Sequence, residues 1–128
     1  MEANQIVLLL SAAIVLVLVR RWLLNRGVHQ YSPAEVADRI RRPSGSVLLD
    51  VRTLEERQRY CIKGSLHIPL HELGSRVEEL SPHRSKEVIC YCQSGHRSIA
   101  AAGRLKKQGF AVAHMKGGIA EWNSVGLR

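Results

Sequence analysis

Cysteine is scarce here and odd in number: 128 residues hold three, Cys61, Cys90 and Cys92. An odd count without paired spacing argues against a disulfide scaffold of the secreted kind and fits a reducing compartment. Structural zinc is also disfavoured, because one residue separates Cys90 from Cys92 and the six histidines show no matching two-by-two ligand spacing. Aromatic residues make up only 5% of the chain, and despite a formal net charge of +8 there is no lysine- or arginine-rich block. The sequence therefore offers little for nucleic acid to stack on, and no nucleic-acid partner is expected. Its basic surface suits small anions or an anionic membrane face. Internal repeats and low-complexity stretches are absent, so one domain of ordinary size is expected, large enough to stand without cross-links.

What the sequence does have is a long apolar run. From Ile6 to Val19 only Ser11 is polar, and the run resumes after Arg20 and Arg21 with Trp22, Leu23 and Leu24. Crossing a hydrocarbon core about 30 Å thick requires Trp22 to Leu24 within the helix, with the two arginines snorkelling to the headgroups. A cleaved signal peptide would carry its basic residues before the run. Here Glu2 precedes it, Arg20, Arg21 and Arg26 follow it, and no small-residue cleavage site comes after. The reading is a single-pass membrane anchor over residues 1–27 and a domain over residues 28–128, facing the cytoplasm by the positive-inside rule.

After a polar connector from Asn25 to Tyr31, Ser32-Pro33-Ala34-Glu35 forms a capping box that opens a helix to about Ile40. Pro43, Ser44 and Gly45 end it as a turn. Val47 to Val51 reads as a buried strand, and Thr53-Leu54-Glu55-Glu56 is a second capping box over a short helix. A helix over Ser75 to Leu80, a strand over Glu87 to Tyr91, a helix over Ser98 to Gln108 closed by Gly109, a strand over Phe110 to Met115 and a last helix around Trp122 follow. Alternating strands and helices imply an α/β fold with an open, mainly parallel sheet, which binds ligands at the carboxyl ends of its strands. Asp50, Arg52 and Cys92 all fall at such ends.

The loop Cys92-Gln93-Ser94-Gly95-His96-Arg97 runs from the end of a strand to the start of a helix. A nucleophilic cysteine must be a thiolate, and a free thiol with a pKa near 8.5 needs help to be one. Loop N–H groups and the positive end of a helix dipole supply that help. Gly95 allows the positive φ a tight anion cradle needs. Arg97 offers a fixed charge for an anionic substrate, Ser98 a cap for the helix, and His96 sits at the rim.

These residues carry a family resemblance: from about Tyr31 to Leu127 the chain resembles a rhodanese domain. Asp50-Val51-Arg52 with Glu55-Glu56 resembles the family's first motif, and Gly64-Ser65-Leu66-His67-Ile68-Pro69 its glycine-to-proline element. Cys92 to Ser98 resembles the active-site loop, and Gly117-Gly118 with Trp122 the closing motif. The resemblance implies a sulfurtransferase that keeps a donor's outer sulfur on Cys92 as a persulfide and passes it to a thiol, protein or cyanide acceptor. It implies that Gln93, Ser94, Gly95, His96, Arg97 and Ser98 hold the charge, with Arg52 joining Arg97 at the donor's oxyanion end. Asp50 supports the site structurally, and neither a metal nor a cofactor is called for.

Three positions depart from the family pattern: Leu54 stands where proline is common, Arg57 where an aromatic residue packs inward, and Cys61 where histidine is usual. Four residues separate Cys92 from Arg97, against five in the related phosphatase loop, so the ring is short for a phosphate. A membrane-bound persulfide carrier or partner-docking module is the alternative to an enzyme, since both roles need the same Cys92.

Overall fold

The computed structural model describes residues 2–25, 28–42 and 45–127. Arg26, Pro43 and Ser44, named above as a flanking charge and a turn, lie outside the described residues.

The apolar run forms one continuous helix, α1 (Ala3–Asn25), that includes Arg20, Arg21 and Trp22. Its 23 residues span about 35 Å at 1.5 Å each. Its described apolar side chains are exposed on every side, Leu8 and Leu16 by 67% and 69%, so none of them is buried in a core. By length and composition it is a candidate membrane span.

The remaining elements are β1 (His29–Tyr31), α2 (Pro33–Arg41), β2 (Ser46–Asp50), α3 (Leu54–Arg59), β3 (Leu66–His67), α4 (Leu73–Arg76), β4 (Glu87–Tyr91), α5 (His96–Lys107), β5 (Ala111–Met115) and α6 (Gly118–Ser124). Both predicted capping boxes are present: Ser32 and Glu35 cap α2 reciprocally, as Thr53 and Glu56 cap α3. Two expectations are corrected. The stretch ending at Tyr31 is not all connector, because His29–Tyr31 pairs with Ala113–Met115 as an edge strand. The helix expected over Ser75 to Leu80 is α4 running into a tighter 3-10 stretch, Val77–His83, that contains Pro82. Proline lacks the amide hydrogen that a continuing α-helix would use.

The five strands form one parallel sheet in the order β1-β5-β4-β2-β3. Its three inner strands β5, β4 and β2 are buried on both faces, and alternate residues serve opposite layers. Val88, Cys90 and Cys92 join Leu49, Ala101, Ala102 and Leu105 on the α5 side. Ile89 and Tyr91 join Val36, Ala37, Ile119 and Trp122 on the α2 and α6 side. From β2 the chain moves to one edge of the sheet and from β4 to the other, so the carboxyl ends of these two neighbours border a crevice. The Asp50 and Cys92 segments meet there.

Candidate active site

Cys92 follows β4 directly and is 1% exposed. The loop turns at Gly95, whose φ of 112° is left-handed, and α5 starts at the next residue. This turn aims the Gly95 N–H at the Cys92 Sγ, 3.0 Å away. The Ser98 Oγ lies 3.7 Å from the same sulfur and donates to the Gly95 carbonyl at 2.9 Å. Ser98 is therefore not the helix cap expected from sequence; Gly95 holds that position. Burial alone would push the Cys92 thiol up. The amides of Ser98, Gly95 and Ser94 outweigh it and bring the pKa below the ordinary thiol value. Cys90, on the same face two residues earlier, has no such donors and is pushed up to about 12 by burial, with the neighbouring Cys92 adding to the shift.

The cradle is fastened from behind by the closing motif. Gly117 and Gly118 both have positive φ, and the N–H groups of Ile119 and Ala120 donate to the carbonyls of Cys92 and Gln93 at 2.9 and 3.2 Å. A Cβ on Gly118 would stand 2.5 Å from both carbonyl oxygens, so only glycine permits this approach. With its carbonyls held outward by α6, the loop turns its amides inward to the sulfur.

Arg97 is not free. Its Nη1 and Nη2 donate to the two carboxylate oxygens of Glu56 at 2.6 and 2.8 Å, and Arg97 and Glu56 remain 35% and 24% exposed. Arg97 holds the Glu56 carboxyl down at about 2 against the opposing effect of burial, and Thr53 adds to the lowering. Glu56 raises Arg97 in turn. The capping glutamate of α3 thus reaches across the crevice and ties the cysteine loop to the β2 side. Sequence showed the cap and not the partner, which lies 41 residues away.

Asp50 is fully buried and accepts five bonds. They come from the Arg52 amide, the Arg52 Nε and Nη2 at 3.1 and 2.9 Å, the Arg57 Nη1 at 3.3 Å and the Tyr91 hydroxyl at 3.0 Å. Arg52, expected at the donor's oxyanion end, is 2% exposed, and its guanidinium also donates to the carbonyls of Glu56 and Tyr60. Its charge is paired with Asp50. Arg57, where an aromatic residue was expected, reaches inward all the same and donates to Asp50, the Ser65 hydroxyl and the Ser65 carbonyl. Cys61 is half-buried and free.

Gln93, Ser94 and His96 are exposed along the rim. An open cleft of about 410 Å³ reaches Gln93 and is walled by Arg52, Glu56, Arg59, Tyr60, Ile119 and Asn123. A second, of about 280 Å³, reaches Arg97 beside Val51, Thr53, Leu70, His71 and Arg104. Among the described residues no cluster of histidine, cysteine and carboxylate side chains is placed to hold a metal ion.

A parallel α/β sheet thus holds a cysteine sulfur among loop amides at the carboxyl end of a central strand. A family model described as "Rhodanese-like domain" matches residues 32–125, and the chain belongs to that family. A sulfurtransferase of Allochromatium vinosum is 31% identical over 101 residues, covering 78% of this chain and 92% of that protein. A Bacillus subtilis protein named as a putative sulfur carrier, YrkF, is 42% identical over 76 residues; the match covers 59% of this chain and 40% of the relative. The crystal structure of a thiosulfate sulfurtransferase from Pseudomonas aeruginosa superposes with a TM-score of 0.72 at 30% identity, over 80% of this chain and 20% of that one. Family and relatives assign the chain to sulfur transfer, and the fold is the mixed α/β rhodanese fold.

Proposed function

We propose that the chain is a thiosulfate-type sulfurtransferase working through a Cys92 persulfide and held at the cytoplasmic face of a membrane by α1. The observation that carries the chemistry is the sulfur itself, which has a lowered pKa and accepts the Gly95 amide at 3.0 Å. The Cys92 thiolate attacks the outer sulfur of thiosulfate. A new S–S bond forms, the donor's S–S bond breaks, and sulfite leaves with its electron pair, so no external oxidant or reductant is consumed. The negative charge then rests on the outer persulfide sulfur, toward which the loop amides from Gln93 to Ser98 are disposed. An acceptor thiolate or cyanide takes that sulfur by the same displacement and returns Cys92 as thiolate. Arg97 meets the sulfite end of the donor, with Glu56 holding its guanidinium in place. Arg52 and Asp50 keep the frame.

A carrier that delivers sulfur to a protein partner uses the same intermediate, and the relative named as a putative sulfur carrier supports that second reading. The test is mass spectrometry of the full chain after thiosulfate treatment. Wild type gains one sulfur atom on Cys92, and Cys92→Ser gains none. Sulfur on Cys61 or Cys90, or thiocyanate release by the variant at the normal rate, overturns the mechanism. Comparing turnover to cyanide with turnover to protein thiols separates enzyme from carrier.

A further inference from the structure

The parallel topology gives the domain two chemically different ends. All strands run the same way, so Ser46, Glu87 and Ala111 stand in register at one end and the Cys92 loop stands at the other. Helices α2 and α5 run back and finish at the end where β2 and β5 begin. Helix C-termini favour cations, and here they carry many. Arg39 and Arg41 close α2, with Arg42 following it, and Lys106 and Lys107 close α5. Arg84 and Lys86 precede β4, and Arg84 donates to the Gln108 carbonyl at 2.9 Å, which places the two turns side by side. Two carboxylates among the described residues lie with these seven cations. Asp38 is paired with Arg42, and Glu87 is turned inward to His29 and the Tyr31 hydroxyl at 2.8 Å each.

The same end is where the chain arrives from α1. His29 lies on Glu87, and only three residues separate it from Asn25, the last residue of α1. That length of chain reaches at most about 14 Å. The anchor therefore cannot deliver the membrane to the Cys92 end without first bringing it to the basic end.

We propose that this basic end is a docking surface for an anionic bilayer, the one α1 enters. The inference deepens the anchored reading and rests on it. Docking of this kind holds the domain with its strands rising from the membrane and the Cys92 loop on the far side. The five residues of β4 alone set the sulfur about 17 Å further from the headgroups. The sulfur acceptor is then a molecule or protein in solution, approaching from above, and not one embedded in the bilayer.

The test uses the full chain reconstituted into phosphatidylcholine vesicles with and without phosphatidylglycerol. Each is treated with a membrane-impermeant amine reagent, and labelling is read by mass spectrometry relative to Lys116, which is exposed beyond β5 at the opposite end. The expected result is that Lys86, Lys106 and Lys107 label several-fold more slowly in the anionic vesicles. One molar salt should abolish the difference, because it shrinks the screening length to about 3 Å. Equal labelling in both vesicles, or protection that survives the salt, overturns the docking surface while leaving the anchor intact. Release of the chain from both vesicle types by alkaline carbonate overturns the anchor reading, and the docking proposal falls with it.

Discussion

At the scale of single residues, Cys92 must be hidden enough to be protected and charged enough to react. Burial opposes the charge and hydrogen bonds restore it, with the balance on the side of the thiolate. A thiol is neutral when protonated, so a lowered pKa keeps the negative charge as pH falls below the ordinary thiol range near 8.5. It is lost only as pH falls through the lower, folded value. Sulfite release from thiosulfate, followed by stopped flow between pH 5 and pH 10, should accordingly begin to decline at a lower pH than the same reaction of an unperturbed thiol. A tenfold drop per pH unit starting at pH 9 would show an ordinary thiol and sink the cradle argument. By linkage the same group adds stability that is present above the unfolded thiol pKa and drains away as pH falls through the folded one. The site was legible in sequence to this degree: Cys92, Gly95 and the strand-to-helix placement could be read from local spacing. The full set of donors to Asp50 could not, because only the sheet register brings Tyr91 level with it.

At the scale of elements, capped helices and β4 were readable because their signals lie within a few residues of one another. Two features escaped for the opposite reason. β1 is three residues long and exists only by pairing with β5, more than eighty positions on. The Glu56–Arg97 tie likewise joins elements whose approach no local pattern encodes. The Gly117-Gly118 turn stands between these cases: its glycines were visible, and what they make room for was not. Gly118→Ala tests that role. The new methyl group meets two backbone carbonyls at 2.5 Å, and alanine at positive φ adds strain, so destabilisation of about 2–4 kcal/mol is expected in urea unfolding. Persulfide formation should fall at least tenfold, measured below the unfolding transition. A variant with wild-type sulfur loading would show that α6 does not shape the loop.

At the scale of the whole molecule, the chain enters the sheet through β1, and the cysteine loop lies at the carboxyl ends of its strands. If the domain faces the cytoplasm as we propose, protease added outside intact cells should spare it, and permeabilising the membrane that holds α1 should expose it. Degradation without permeabilisation would reverse the orientation. The chain's order also dictates the order of its assembly. The sheet's centre and the cysteine loop are synthesised before α6, yet the amides of Ile119 and Ala120 that hold the loop's carbonyls belong to α6. While the chain emerges from the ribosome, its nucleophile is exposed before its cradle can close. The sulfur's cradle is thus completed by a segment translated after the sulfur itself.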